Sequence, residues 1–288
     1  MPELPEVETI RRGLVPVLEG ARITKVVLRR PDLRFPFPDR FAERLEGATI
    51  GPLARRAKFL LLPLDTGETL VIHLGMTGRL LVEQDGQKAM LGDFHHEAGR
   101  LPAHDHAVIR LESGPALIYN DVRRFGFMQL EPSEQLSEST SFADLGPEPL
   151  GNAFSGSVLA TRLARRASPL KLALLDQHVV AGLGNIYVCE ALHRTGLSPY
   201  YRADRVPVEK VETLAQAIRA VLEEAIEAGG STLRDFRHED GSLGYFQHAF
   251  RVYDRAGAPC PTLGCGGCIE RQVQGGRSTF FCATCQMA

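Results

Sequence analysis

Of the six cysteines in this chain, five lie between Cys260 and Cys285. No other feature limits the fold so sharply. In a reducing compartment such thiols stay unpaired, and clustered ones point to a metal rather than to disulfides. Cys282-x2-Cys285 forms one metal knuckle. Cys260, Cys265 and Cys268 offer a second pair, across a strand-like stretch at 269–281 with a Gly275-Gly276 turn. Two thiol pairs bridged by a hairpin describe a zinc ribbon, whose four sulfur ligands suit tetrahedral zinc. A site closed by four thiolates leaves no open position, so the metal is expected to be structural. The hairpin between the pairs argues against a redox dithiol. The expected cofactor is therefore one structural Zn2+ per chain, with no redox or nucleotide cofactor.

The other end of the chain carries a different signal. Pro2 follows the initiator Met1, and a residue this small invites removal of that methionine. The mature chain would then begin with a free secondary amine. Such an amine can attack a carbonyl carbon to form an iminium. An α-amino group also ionises below a lysine, so more of it is neutral at neutral pH. Glu3 and Glu6 stand beside it, able to donate and accept protons. The same residues also make a helix start, with Pro5 in the first turn and acidic groups at the positive end.

Length and composition fit this picture. At 288 residues the chain has room for two ordinary domains. No apolar run approaches the ~20 residues of a membrane helix, and the N-terminus is not a secretory signal. A cytoplasmic home and no membrane partner are expected. The net charge of −2 does not advertise nucleic acid, but its distribution is uneven. Residues 131–150 are acidic and lack Lys and Arg, whereas Arg55-Arg56, Arg123-Arg124 and Arg165-Arg166 could form a local basic surface.

Val7, Ile10, Leu14 and Val15 share one helical face, with Pro16 expected to break or kink the helix and Gly20 to end it. Residues 22–30, 48–64, 69–83, 106–112 and 116–131 are rich in Val, Ile and Leu between turn signals. They read as an antiparallel β-sandwich with the helix at one end. Helical patterns follow at 158–167, 170–180, 186–194 and 207–229, with Ser168 as the expected cap of the second. The fold class is α+β and multidomain. Its expected parts are a catalytic sandwich at 1–133, an acidic linker at 134–157, a helical domain at 158–249 and the ribbon at 250–288.

Three stretches could contact nucleic acid. Gly182-Leu183-Gly184-Asn185 leads through glycines into a helix N-terminus, a ready phosphate site or a plain helical hairpin. His73-Leu74-Gly75-Met76-Thr77-Gly78 and Tyr119-Asn120-Asp121-Val122-Arg123-Arg124-Phe125-Gly126 both leave strands. Each sets a bulky apolar residue, Met76 or Phe125, in a Gly-flanked turn. Such wedges can fill the space of a base removed from its stack, although burial in a β core is the commoner use.

Together these motifs resemble bacterial formamidopyrimidine-DNA glycosylase over nearly the whole chain. The resemblance rests on Pro2-Glu3-Leu4-Pro5-Glu6-Val7-Glu8-Thr9, Lys58, His73 to Gly78, His104-Asp105-His106 and Arg123-Arg124-Phe125-Gly126. It continues through Gly184-Asn185-Ile186-Tyr187, Gly276-Arg277 and Cys282-x2-Cys285-Gln286. It implies a helix–two-turn–helix in the helical domain and a lesion-sensing loop within 230–249. It also implies excision of oxidised purines (8-oxoguanine, formamidopyrimidines) from double-stranded DNA, followed by β,δ-elimination at the abasic site. The enzyme would act in base excision repair as a monomer, at the bacterial nucleoid. Under the resemblance Pro2 is the nucleophile, Glu3 the general acid, and Lys58 the lysine that assists elimination, with Glu6 in the same catalytic group. Met76, Arg123 and Phe125 would fill the void, Arg123 facing the orphaned cytosine. His104, Arg124, Arg166, Lys171 and Asn185 would contact DNA, as would Arg277, which is also the implied donor for the second elimination. The opening sequence is similar to the purine-specific branch. An oxidised-pyrimidine glycosylase of the same fold, or a non-enzymatic zinc-ribbon nucleic-acid-binding module, are the other readings. The intact Pro2, Glu3 and Lys58 argue against the latter.

One departure stands out. The family spacing of sixteen residues before Cys282 leads to Cys265, whose partner three positions earlier should be a cysteine but is Thr262. Keeping that register makes Cys260, Cys265, Cys282 and Cys285 the expected ligands, with Cys268 as the alternative to Cys260.

Overall fold

The computed structural model describes residues 2–84, 101–231 and 246–287. Helix α1 (Leu4–Leu18) begins on a capping box: Glu3 N–H donates to the Glu6 carboxylate, and Glu6 N–H donates to that of Glu3. Its buried stripe of Val7, Ile10, Leu14 and Leu18 enters the core, each residue stabilising by roughly 1.5–3 kcal/mol. The expectation that Pro16 breaks the helix is corrected. α1 continues to Leu18, and Glu19 N–H still reaches the Val15 carbonyl. Pro16 lies in the last turn and removes only the N–H that would have served Arg12, an exposed residue whose carbonyl water can satisfy. Gly20, at φ +76°, ends the element.

Two four-stranded antiparallel sheets follow. The first runs in the order β1 (Ile23–Leu28), β6 (Asp105–Leu111), β7 (Ala116–Asp121), β5 (Gly78–Glu83). The second runs β2 (Ala54–Arg56), β3 (Phe59–Pro63), β4 (Glu68–His73), β8 (Phe127–Pro132). A short helix α2 (Phe41–Leu45) links β1 to the second sheet. Ile109 and Leu117 from one sheet and Leu60, Ile72 and Met128 from the other join α1 in a single core, which makes the sheets a sandwich. Three expected strands prove to be two each. Left-handed Ala57 (φ +53°) divides 48–64, Gly75 (φ +61°) divides 69–83, and residues 122–126 divide 116–131.

Among the described residues the chain gathers into two compact units. One comprises residues 2–143 with 229–231, the other 144–228 with 246–287. The second unit holds α3 (Gly156–Leu163), α4 (Leu170–Leu175), α5 (Asn185–Arg194), α6 (Val208–Glu227) and the hairpin β9 (Ile269–Gln274) and β10 (Arg277–Cys282). Ser155 caps α3, its hydroxyl accepting from Val158 N–H. The helix expected at 170–180 stops at Leu175. There Asp176 turns extended and its carboxylate accepts His178 N–H instead. Ser168 is not its cap. Residues 168–170 bond to the backbone of 201–203, which holds Ser168 away from the helix end and leaves Pro169 as N-cap. The loop expected at 230–249 lies, from 232 to 245, outside the described residues.

Candidate active site and nucleic-acid interface

In the first unit, Pro2, Glu3 and Glu6 are all buried at the start of α1. The Glu6 carboxylate is fully engaged. One oxygen accepts Glu3 N–H at 2.8 Å, and the other accepts Ser231 N–H and Ser231 Oγ–H at 2.9 Å each. A carboxylate that accepts from three donors is fixed in place, and it ties the backbone at Glu3 to Ser231. Ser231, buried itself, carries no sequence signal that would have found it.

Two residues further on, Glu8 accepts from Arg11 and Arg12 and lies 3.3 Å from Arg55. Burial alone would raise the Glu8 carboxyl, but hydrogen bonds from Arg11 and Arg12 bring it down to about 2. Arg55 in turn donates to the Ala57 carbonyl at 2.9 Å. The clamp thereby ties α1 to the left-handed turn that presents Lys58, which is itself buried.

Lys58 enters β3 at Phe59, which pairs with His73 at the end of β4, which pairs in turn with Phe127 at the start of β8. His73 stacks on Phe127 at 5.3 Å and accepts Gly75 N–H through Nδ1. Burial first, then the charges of Lys58 and Arg34, lower its pKa to about 4. His73 is thus a neutral prop beneath the loop that carries Met76.

Met76 and Phe125 are exposed, on the β4–β5 and β7–β8 loops. The loops touch at Gly75, where any Cβ would lie 2.4 Å from the Phe125 backbone, so glycine is required. The guanidinium of Arg123 sits 4.6 Å above the Phe125 ring. Fully buried Asp121 joins both loops, accepting from Thr77 Oγ, Arg123 N–H, Gly126 N–H and the Tyr119 hydroxyl. Burial and the Asp121 charge push the Tyr119 pKa well above its usual value, so it remains a donor. Arg124, left-handed at φ +55°, lies half-exposed with Asp32 at 3.9 Å. His104 ends the one-turn helix Pro102–His104, with its ring against His106.

In the second unit, α4 and α5 meet through a turn braced by Gln177, which donates to the Leu175 and Leu183 carbonyls and accepts Gly182 N–H. Asn185 opens α5 behind Gly184, with no side-chain cap. Its Nδ2 donates to the Ser278 carbonyl at 2.9 Å, and its Oδ1 is buried with no partner among the described residues. Lys171 is wholly buried, its ammonium on the Ser278 carbonyl (3.1 Å) and Thr279 Oγ (2.7 Å). That charge faces the hairpin and braces β10. Arg166 is spent on Asp176 at 2.6 Å. Arg277 stands exposed at the head of β10, after Gly275 and Gly276.

The Sγ atoms of Cys260, Cys265, Cys282 and Cys285 all lie within 4.8 Å of one another. Cys268 is exposed and outside this group. Cys260 and Cys285 are 3.7 Å apart, and Cys265 and Cys282 3.6 Å. Four sulfurs on a tetrahedral zinc with bonds of about 2.3 Å would stand about 3.8 Å apart, so the donor set fits. Burial resists ionisation of Cys282, but the N–H groups of Cys285 and Thr284 overcome it and lower the thiol to about 7. Four soft thiols around one point, the first inclined to ionise, suit a soft divalent cation.

A sandwich with a buried N-terminal Pro-Glu pair, a two-turn helical pair and a four-thiol ribbon defines a DNA-repair glycosylase of the zinc-ribbon class. The chain belongs to the formamidopyrimidine-DNA glycosylase family. The N-terminal domain of that family matches residues 1–128, its H2TH domain residues 145–237, and the zinc finger found in FPG and IleRS residues 257–287. A formamidopyrimidine-DNA glycosylase of Methylorubrum populi is 58% identical, with 100% of both chains covered. One from Caulobacter vibrioides is 55% identical, again with 100% of each covered. Among solved structures, the MutM (FPG) protein of Thermus thermophilus superposes with a TM-score of 0.85 at 42% identity, covering 99% of this chain and 98% of that one. The Lactococcus lactis Fpg in complex with abasic-site DNA gives 0.87 at 31%, covering 100% of both.

Proposed function

We propose that this protein excises oxidised purines from duplex DNA through a Schiff base on Pro2 and then cleaves the abasic strand. The observation that carries the reading is the buried start of α1, where Pro2 adjoins Glu3 while the Glu6 carboxylate fixes the backbone between them. The Lactococcus relative was solved with abasic-site and Fapy-dG DNA, which supports this substrate class.

In this reading the Pro2 nitrogen bonds to C1′ as the C1′–N9 bond breaks. The base leaves with the bonding pair and takes up the proton released by the Pro2 nitrogen, which thereby recovers its lone pair. Glu3 protonates the ring oxygen as the sugar opens, and the lone pair of nitrogen completes the iminium. Loss of a C2′ proton then expels the 3′ phosphate, a second elimination expels the 5′ phosphate, and water releases the enzyme. Lys58 assists elimination from its turn beside Glu8 and Arg55. Met76, Arg123 and Phe125 fill the void of the flipped nucleotide. His104, Arg124, Arg166, Asn185 and Arg277 take up phosphates, Arg166 by exchanging Asp176 for one, and Lys171 acts indirectly through β10. Cys260, Cys265, Cys282 and Cys285 hold Zn2+, which fixes the ribbon and takes no part in the chemistry. The sandwich supplies catalysis and the second unit the grip on DNA, in a monomer working in the cytoplasm.

Borohydride reduction on an 8-oxoguanine duplex tests this. The adduct should map to an N-terminal proline, and a chain that retains Met1, whose Pro2 nitrogen is an amide, should not be trapped. An adduct on Lys58 with Pro2 unmodified would overturn the assignment.

A further inference from the structure

The four thiols differ in how they are surrounded. Cys282 faces the N–H groups of Thr284 and Cys285, and Cys265 that of Gly267. The backbone N–H of Cys260 is spent on the Gly267 carbonyl. Its sulfur faces a side chain instead, with His193 Nε2 at 3.4 Å. The same nitrogen lies 3.3 Å from Thr262 Oγ, and that oxygen accepts from the Cys285 thiol at 3.8 Å, a bond that would reverse once the thiol gives up its proton to become a metal ligand. His193 is buried on the last turn of α5, and its Nδ1 has no partner among the described residues. A proton on Nδ1 would therefore be a buried donor without an acceptor, while Nε2 would point a lone pair at sulfur. The opposite tautomer gives Nε2–H two acceptors.

We propose that His193 and Thr262 are positioning residues for the metal, donating hydrogen bonds to the thiolates of Cys260 and Cys285 respectively. Four thiolates bring four negative charges to a dication, so donors that spread the surplus strengthen the site. The wide Cys260–Cys265 spacing explains the need. With four residues between the ligands, the first knuckle does not aim its own backbone at Cys260, and Thr262 places a hydroxyl in the gap. The pair also ties the ribbon to α5, the helix that begins at Asn185. This inference rests on the zinc reading above, and its test separates the two.

The experiment uses the full chain, with metal per chain measured by mass spectrometry and zinc release followed with a chromogenic chelator. Wild-type protein should carry one metal per chain; none would overturn the zinc reading itself. Thr262→Val and His193→Leu should keep the metal but release it faster, by about tenfold or more. Thr262→Ser, which restores the hydroxyl, should release it at the wild-type rate. In cobalt-substituted protein, Thr262→Val should move the thiolate-to-metal charge-transfer band to longer wavelength, because a thiolate without its donor gives up charge more easily. A general loosening of the ribbon would not produce that shift and its rescue by serine. If His193→Leu fails to fold, the Thr262 pair decides alone. Unchanged release and spectrum in Thr262→Val, or a serine variant that behaves like valine, would overturn the proposal.

Discussion

Glu3 and Glu6 lie three residues apart in a buried turn, and the proposed reading gives them different tasks. Glu6 spends both oxygens on three donors, so Glu6→Gln should disturb the geometry at Pro2 and slow trapping and excision together. Glu3→Gln should abolish excision while leaving binding to an abasic analogue near wild type. An acid acting on the opening sugar contributes in the transition state rather than to the grip on the backbone. Equal losses in single-turnover rate and in equilibrium binding would contradict that role. His73 makes a prediction in pH. Its folded pKa of about 4 lies below the ordinary 6.5. Between those values the unfolded chain binds more protons, so stability is lost as pH falls from 6.5 toward 4, by roughly 3 kcal/mol in all. Urea unfolding of the first unit across that range should show the slope, and His73→Gln should flatten it. The motifs around Pro2, Met76 and Phe125 were legible because their chemistry is unusual for their surroundings. Ser231 and Asp121 were not, since a buried serine or aspartate is recognised only by what it touches.

At the scale of elements, the functional residues stand where expected strands break. Gly75 and Gly126 announce two of those breaks in the sequence. The third, at Ala57, is invisible there because alanine seldom adopts positive φ, and it presents Lys58. The outline of the sandwich was legible from alternating apolar runs, whereas the early end of α4 turns on one local bond from His178 N–H to Asp176, and α1 survives Pro16 because the proline falls in its last turn. Asp121 bridges two of the breaks, so Asp121→Asn should impair processing of damaged duplexes more than binding to undamaged ones. Identical losses in a gel-shift and cleavage comparison would sink that role. Within the hairpin, Lys171 and Arg277 should separate cleanly. Arg277→Ala should reduce the salt slope of DNA binding by about one unit, the loss of one phosphate contact. Lys171→Met should weaken binding with the slope unchanged, because a buried ammonium neutralises no phosphate. A slope reduced by Lys171→Met would return that lysine to the DNA surface.

On the scale of the whole molecule, no described helix is long and apolar enough to cross a membrane. The two compact units have separate cores, and the thiol cluster belongs to the second alone. Metal removal by a strong chelator should therefore abolish DNA binding and unfold the ribbon while the sandwich keeps its β signal in circular dichroism. Loss of the sandwich signal at the same chelator concentration would show that the units stand or fall together. The ribbon was legible in outline from thiol spacing, but spacing alone left Cys260 and Cys268 as alternatives, and the fold gathers Cys260 with the other three thiols.

The bond between Glu6 and Ser231 also sets an order of events during synthesis. The first unit is discontinuous in sequence: residues up to 143 need the short return at 229–231 to complete it. A nascent chain that has released only its N-terminal half leaves one Glu6 oxygen without the two donors that hold it. The sandwich can collapse early, but the surroundings of Pro2 can close only after the ribosome has also delivered α3 to α6. With Pro2 as the proposed nucleophile, the site is thus kept unfinished until the helices of the second unit exist.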